Sequence, residues 1–330
     1  MQESVRRLLP FAAIAVVAIA APLLFPDYRT QMALLWVMVI FALTWDVVGG
    51  QMGYNSFGNV FFFGVGMYAC AVVQRDAGLD YYTGLAVGVA IGTALAVLAA
   101  AAIGAGLLGL RGHYFAIGTL GLGIAAAEIA ASWDYIGAGA GLVTPVFPGD
   151  IQDRTLFYYW LCLIVAVITF FTLRWLYAGR FGLAINAIRD DEDKAEAMGL
   201  RTTRYKTVAW CVSAFFLGMT GGLVGNMVGF IDPRDVAFAG ATFGVWMVLM
   251  AILGGKGTLW GPVIGAAIFH ITQELFWTWL LGWQRVALGL LIVLIVVFFP
   301  QGILGWLRER RPELFGHRVD AARSEPGRSG

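Results

Sequence analysis

Four ionisable side chains lie within long apolar segments of this sequence: Asp46, Glu128, His270 and Glu274. Each costs about 2.5–3.5 kcal/mol at the centre of a membrane helix, so such a group marks either a function or a specific partner. Asp46 and Glu128 lie near the ends of their segments, where a helix-terminal contact would also account for them. His270 and Glu274 are one helical turn apart and could hydrogen-bond each other, but one histidine and one glutamate are too few ligands for a metal site.

No catalytic or nucleotide-binding motif accompanies these residues. The nucleophile elbow, the HExxH pair and the Rossmann glycine pattern do not occur in their required context. The run LGGKGT at residues 253–258 lacks the spacing of a phosphate-binding loop. Cys70, Cys162 and Cys211 all lie in apolar runs without CxxC spacing, which predicts core packing rather than disulfides or zinc. We therefore predict a chain that is no enzyme, binds no cofactor or metal, and does not itself bind ATP.

The densest charge in the sequence occupies residues 174–206, where basic and acidic side chains alternate. Within it, Asp190 is positioned to cap a short helix with Asp193 at the third position, and Gly199 supplies a left-handed stop. The predicted helix would run from about residue 191 to residue 198. Ala195 and Met198 would form a small apolar face on it.

Side chains four residues apart would reinforce this helix. Arg189 would pair with Asp193, and Asp190 with Lys194. A short, capped, charged helix is typical of a solvated loop, but it also suits a membrane protein that must receive force from a cytoplasmic motor.

The elements around this stretch are strongly apolar. Of 330 residues, 59% are apolar and only 13% are charged, and the mean hydropathy is +0.76. Soluble domains contain about 25% charged residues, so lipid must be the solvent for most of this chain. A net charge of +1 gives no reason to expect nucleic acid as a partner.

Hydrophobic segments of spanning length predict an all-α, polytopic helix bundle of about ten spans, or eight if the two weakest segments do not cross. The weakest are residues 57–74 and 238–253, glycine-rich or short, either of which could be broken or re-entrant. Ten spans with both termini inside would place 17 of the 22 Lys and Arg residues in the cytoplasm, as the positive-inside rule requires. The predicted spans are 8–25, 31–48, 57–74, 82–107, 114–132, 156–175, 207–230, 238–253, 259–281 and 284–299.

Glycines recur within these spans, with GxxxG spacing at Gly218 and Gly222 and again at Gly261 and Gly265. Small residues let helix backbones approach closely in lipid, so we interpret both pairs as packing faces inside the bundle. Residues 1–300 are then one transmembrane domain with a cytoplasmic loop at about 176–206. Residues 301–330 form a polar, mobile cytoplasmic tail.

Four runs in the same order resemble the permease subunit, M type, of branched-chain amino acid ABC importers. They are WDVVGGQMGYNSFGNVFFFGVGMY at 45–68, LRGHYFAIGTLGLGIAAAEI at 110–129, GRFGLAINAIRDDEDKAEAMGLRTTRYK at 179–206 and ILGGKGTLWGPVIGAA at 252–267. The resemblance covers most of the chain, from about residue 45 to 299. It departs from the family at Asn59, where histidine is usual, at Met67, and in the loop of residues 136–141.

The resemblance implies a multi-pass subunit of a bacterial or archaeal inner membrane. It would pair with a second, related permease, two cytoplasmic ATPases and an extracytoplasmic solute-binding protein. ATP and Mg²⁺ would be used by the ATPases alone. Residues 187–199 match the family's ATPase-docking loop, which carries the coupling role over to Ile188, Arg189, Asp191, Glu192, Ala195, Met198 and Gly199.

Small polar residues at the start of the glycine-broken segment could line the solute path, because unwound backbone is tolerated beside a wet cavity. These are Tyr54, Asn55, Ser56 and Asn59, together with Thr119. The alternative is that they satisfy one another between helices.

Three other functions stay open from the sequence. An ion-coupled secondary transporter or channel would use a mid-span carboxylate and need no docking helix. An integral membrane enzyme would have to gather His113, His270 and His317 in the fold. Within the resembled family, urea, short amides or aromatic acids could replace branched-chain amino acids as the solute.

Overall fold

The computed structural model describes residues 14–279 and 302–310, with a few isolated positions between 282 and 293. These residues are almost entirely helical, as their apolar composition predicts. The helices are α1 Ile14–Leu24, α2 Arg29–Asp46, α3 Val60–Asp76, α4 Tyr81–Leu107, α5 Gly112–Ser132, α6 Ile151–Ala178, α7 Arg180–Asp190, α8 Glu192–Ala197, α9 Thr202–Val228, α10 Val245–Gly254, α11 Trp260–Trp279 and α12 Gly302–Arg310.

Within the part of the chain that the structure describes, six segments are long and apolar enough to cross a membrane. The polytopic, all-α prediction is therefore confirmed. The candidate spans are Pro26–Gln51, Tyr81–Gly104, Gly112–Ser132, Ile151–Ala178, Thr202–Val228 and Pro233–Gly254. The predicted span at 284–299 lies almost wholly outside the described residues, and so does most of the tail at 301–330, whose described part is the helix α12.

The centre of the bundle is formed by α3, α4 and α9, whose backbones touch at glycines. A Cβ atom added at Gly66 would collide with the backbone of Gly218, and one added at Gly221 with the carbonyl of Phe63. The second GxxxG pair acts in the same way between α10 and α11, because Gly265 packs against the carbonyl of Met250. The packing interpretation of both motifs is confirmed.

Two apolar segments are interrupted inside the bundle. After α2 the chain makes a π-helical turn, Val47–Gln51, and stays irregular until α3 begins at Val60. Before α10 it makes two further π-helical turns, Pro233–Ala237 and Gly240–Gly244. The two interruptions approach each other, since a Cβ at Gly244 would lie 3.1 Å from the carbonyl oxygen of Phe57.

The loops lie at two ends of the bundle, and contacts between loops show which charged residues belong to each end. At one end Arg111 donates to Asp193 across 2.8 Å, and the Gly257 amide donates to Asp46 across 2.7 Å. At the other end Arg75 donates to the Tyr135 carbonyl at 2.8 Å. A two-stranded pairing, Leu142–Val143 with Phe230–Ile231, lies beyond the helices that reach this second end. The charged stretch at 174–206 belongs to the first end, which we call the charged end.

Candidate functional site

The short helix α8 is capped by Asp191. The Asp191 carboxylate accepts a hydrogen bond from the Lys194 amide at 3.0 Å and pairs with the Lys194 ammonium at 2.9 Å. The prediction that Asp190 is the cap is wrong, because α7 continues through Asp190 and Asp191 takes the extended backbone conformation that a cap requires. Hydrogen bonds from Lys194 hold the pKa of Asp191 below its ordinary value.

The ion pairs around α8 also differ from the predicted ones. Arg189 bonds its neighbour Asp190 at 3.1 Å, and Asp193 bonds Arg111 instead of Arg189. The predicted pairs at a spacing of four residues fail because α7 and α8 are separate helices that meet at Asp191. Arg111 thereby ties α8 to the start of α5.

The end of α8 is as predicted, but its apolar face is not. Gly199 has a φ of +88°, the left-handed conformation that favours glycine after a helix. Ala195 is 6% exposed, whereas Met198 is 89% exposed. The two side chains therefore do not share one face, and Met198 is available to a partner.

We expect Asp191→Ala to fray α8, because it removes the only side-chain acceptor for the Lys194 amide seen among the described residues. Hydrogen exchange at residues 193–195 should accelerate roughly five-fold, the usual effect of a lost cap. Asp190→Ala is the matched control, since its carboxylate caps neither helix. Equal acceleration by both substitutions would contradict the assignment of the cap.

Glu192, the first residue of α8, is the centre of a buried polar cluster. Its carboxylate accepts from the Lys206 ammonium at 2.7 Å and from the Tyr54 hydroxyl, and Arg111 lies 3.6 Å away. Lys206 also donates to the Leu108 carbonyl at 2.7 Å and to the Tyr54 oxygen at 3.1 Å. We call Tyr54, Glu192 and Lys206 the buried triad.

The surroundings of Glu192 favour its ionised form. Burial opposes the charge of Glu192, but hydrogen bonds from Lys206 and Tyr54, with the charges of Lys206 and Arg111, hold its pKa below the ordinary 4.5. A lowered carboxyl pKa contributes stability above the ordinary pKa and loses it as pH falls through the folded-state value. The contribution of the Glu192 carboxylate to stability is therefore present at neutral pH and is lost on acidification.

The predicted path residues lie around the interruption at residues 52–59. Asn55 is exposed, whereas Ser56, Asn59 and Thr119 are buried. The side-chain amide nitrogen of Asn59 donates to the Ser213 hydroxyl at 3.2 Å, while the side-chain carbonyl oxygen of Asn59 has no partner among the described residues. The Thr119 hydroxyl accepts from the Phe57 amide at 3.1 Å. Tyr54 lies instead at the charged end, in the triad.

Three of the four intramembrane ionisable residues, Asp46, Glu128 and His270, have structural partners. Asp46 accepts the Gly257 amide, and Glu128 forms a two-pronged pair with Arg234 at 2.8 and 2.9 Å. His270 bonds the Gln31 carbonyl at 2.9 Å, rather than Glu274. Among the described residues no group of three potential metal ligands occurs. Asp46 and Glu128 thus make the helix-terminal contacts that their positions suggested.

Sequence reasoning missed two residues of this site, Arg111 and Lys206. Lys206 is the last residue of the charged stretch at 174–206, yet only 3% of its surface is exposed. Its position inside the first turns of the apolar helix α9 was the available signal, because a lysine there must reach a partner or the membrane surface.

Comparison with known proteins fits this architecture. The family described as "Branched-chain amino acid transport system / permease component" matches residues 30–297. The chain is 27% identical to the high-affinity branched-chain amino acid transport system permease protein LivM of Salmonella typhimurium, over 93% of this chain and 77% of that protein. The LivM protein of Escherichia coli is 28% identical over the same shares.

A second type of permease is also similar. LivH of Escherichia coli is 30% identical over 41% of this chain and 41% of that protein. No solved structure matches the chain. Similarity to both LivM and LivH indicates a pair of related permeases within one transport system. The chain is thus a multi-pass membrane permease subunit, not an enzyme, and it belongs to the permease family of branched-chain amino acid transport systems.

Proposed function

We propose that this chain carries branched-chain amino acids across the bacterial or archaeal inner membrane, into the cytoplasm, as one of two permeases driven by partner ATPases. The solute would arrive from an extracytoplasmic binding protein. The observation that carries the proposal is α8, a capped and solvent-facing helix fixed to the transmembrane helices by an ion pair whose lysine is buried. The names of the LivM and LivH relatives support the solute class.

The coupling surface comprises the seven residues carried over from the family, in two roles. Ile188 and Ala195 are 3% and 6% exposed, so they would anchor the loop to this chain. Arg189, Asp191, Met198 and Gly199 reach the surface and would meet an ATPase. Glu192 would join the two roles, because its side chain is 11% exposed and contacts the triad.

We propose ten membrane crossings with both termini in the cytoplasm. The separation of the loops into two ends supports this, since Arg111, the 174–206 stretch and the Gly257 loop meet at the charged end. Residues 1–300 would form the permease domain and 301–330 the cytoplasmic tail. The interruptions at 47–59 and 233–244 are the candidates for broken or re-entrant segments.

The solute path would pass the first interruption, beside Asn55, Ser56, Asn59 and Thr119, with Tyr54 at its cytoplasmic end. The side-chain carbonyl oxygen of Asn59, which has no partner in the described part of the chain, is a polar group that a passing solute could meet. ATP and Mg²⁺ would bind only to the partner subunits, and this chain would need no cofactor. No contact of Asp46 or Glu128 favours ion coupling, because each is occupied within this chain.

The test is reconstitution of the chain with its second permease, two ATPases and binding protein in proteoliposomes. We expect ATP-dependent uptake of leucine, isoleucine and valine that requires the binding protein. Uptake of urea, acetamide or an aromatic acid in place of these would reassign the solute. Uptake driven by an ion gradient without ATP would contradict the proposed class.

A further inference from the structure

The ammonium group of Lys206 joins three separate elements of the chain. It contacts Glu192 of α8, the Leu108 carbonyl at the end of α4, and the Tyr54 hydroxyl of the interruption at residues 52–59. Lys206 itself belongs to α9, and it lies 4.9 Å from the centre of the Tyr54 ring. Each of the three N–H donors of this buried ammonium group thus bonds a different element of the structure.

We propose that Lys206 is the positioning residue that transmits movement of α8 to the interrupted segment at residues 52–59. This inference rests on the proposed function, in which ATPases move α8. When α8 moves, Glu192 must either carry Lys206 and Tyr54 with it or leave a buried ammonium without its carboxylate. The second outcome is strongly unfavourable, so the segment follows the helix.

Bonds beyond Tyr54 extend this connection through the segment. The Trp45 indole donates to the Ser56 carbonyl at 2.7 Å, and the Phe57 amide donates to Thr119 at 3.1 Å. Asn59 bonds Ser213 of α9. Residues 56–59, which follow Tyr54 closely in the chain, are thus bonded to α2, α5 and α9, so a displacement of Tyr54 would act on these contacts.

Aromatic packing provides a second, parallel connection. The Tyr54 ring meets Phe115 edge to face at 5.1 Å, and Phe115 meets Trp210 at 5.9 Å. Trp210 in turn packs on Phe62 of α3 at 5.3 Å. Rotation of the Tyr54 ring would therefore require the packed side chains of α5, α9 and α3 to shift with it, because a close-packed interior leaves no free space for one ring to move alone.

A role in stability alone would not account for this arrangement. Apolar side chains at both positions 206 and 192 could fill the site as well, since buried ion pairs often contribute no more stability than apolar residues of similar volume. Only a charged group with three donors can bond α8, α4 and the interrupted segment at once. The three bonds of Lys206 therefore fix the positions of α8, α4 and the interrupted segment relative to one another, and coupling requires such a connection.

The experiment measures how much solute is imported per ATP hydrolysed in the reconstituted complex, with leucine as the probe. For Lys206→Met we expect the ATPases to co-purify and hydrolyse ATP while the import per ATP falls about ten-fold, as for loss of a charged contact. Tyr54→Phe, which removes one hydroxyl, should lower it about three-fold. The double variant should be no worse than Lys206→Met, because both substitutions break one connection.

Hydrogen exchange gives a readout that does not depend on solute. With a non-hydrolysable ATP analogue, exchange should change in α8 and in residues 52–59 of the wild-type complex. In Lys206→Met it should change in α8 only. Tyr205→Phe is the matched control, since this neighbouring hydroxyl bonds no described residue and should leave both readouts at wild-type values.

Three outcomes would overturn the inference. They are a wild-type import ratio in Lys206→Met, a response of residues 52–59 that survives the substitution, or a loss explained entirely by failure of the ATPases to co-purify. If the wild-type complex itself imported no leucine, the proposed function would fail instead. The exchange experiment would still test the transmission of movement from α8.

Discussion

Reversal of charge at both Arg189 and Glu192 is expected to abolish the stimulation of ATP hydrolysis by loaded binding protein. Arg189→Glu removes a cation from the surface proposed to meet the ATPase. Glu192→Lys brings a second ammonium beside Lys206 and within reach of Arg111. Breaking an ion pair this buried costs up to about 3 kcal/mol, enough to release α8 from the bundle. The measurement is ATPase activity of the reconstituted complex with and without loaded binding protein.

Membrane insertion should not change, because neither residue lies in a candidate span. Arg180→Glu is the control, a reversal in the same loop outside the proposed surface. Stimulation that survives both reversals at Arg189 and Glu192 would remove the coupling role from α8. A comparable loss in the Arg180 variant would instead mean that the whole loop responds to charge.

Introducing valine at Gly221 is expected to prevent correct packing of the bundle. A Cβ added at Gly221 of α9 would collide with the Phe63 carbonyl oxygen and lie 3.0 Å from the Met67 amide nitrogen. These are backbone atoms, which cannot move aside as the end of a flexible side chain can. Overpacking of this kind costs about 3 kcal/mol. The expected result is a lower yield of folded protein in detergent and a lower melting temperature, measured by thermal unfolding of the purified chain.

Gly121→Val is the matched control for Gly221→Val. Gly121 is in the span α5, where an added Cβ would have no atom of the described residues within 4 Å. The same substitution there should leave the melting temperature unchanged. If both variants unfolded alike, loss of glycine in any span would be the cause, and close approach of α3 and α9 would not.

The sequence predicted the elements whose signals are local. Long apolar runs gave the spans at 82–107, 114–132, 156–175 and 207–230 within a few residues of α4, α5, α6 and α9. The GxxxG pairs predicted the packing faces, because the spacing of glycines along one helix marks its close-packing face whichever helix lies against it. Gly199 was identified as the end of α8 because a left-handed stop is a property of one residue.

Errors arose where the result depends on where one helix ends and another begins. Asp190 and Asp191 are equally suitable caps in sequence. Asp191 is the cap of α8 because Asp190 is the last residue of the preceding helix, α7. The predicted ion pairs then failed together, since they assumed one continuous helix. Spacing alone predicts Met198 on the apolar face of α8, but spacing cannot distinguish an exposed side chain from a buried one.

The sequence by itself determined that this chain is a glycine-packed, multi-pass helix bundle with a capped helix among its charges, and the family resemblance drawn from its motifs is confirmed. Only the tertiary structure decided which charges meet. Lys206, Glu192 and Tyr54 are separated by up to 152 residues and carry no mutual signal. Their contact follows from α9 packing beside α4 and the interrupted segment, because a lysine buried at that junction must find its acceptors there.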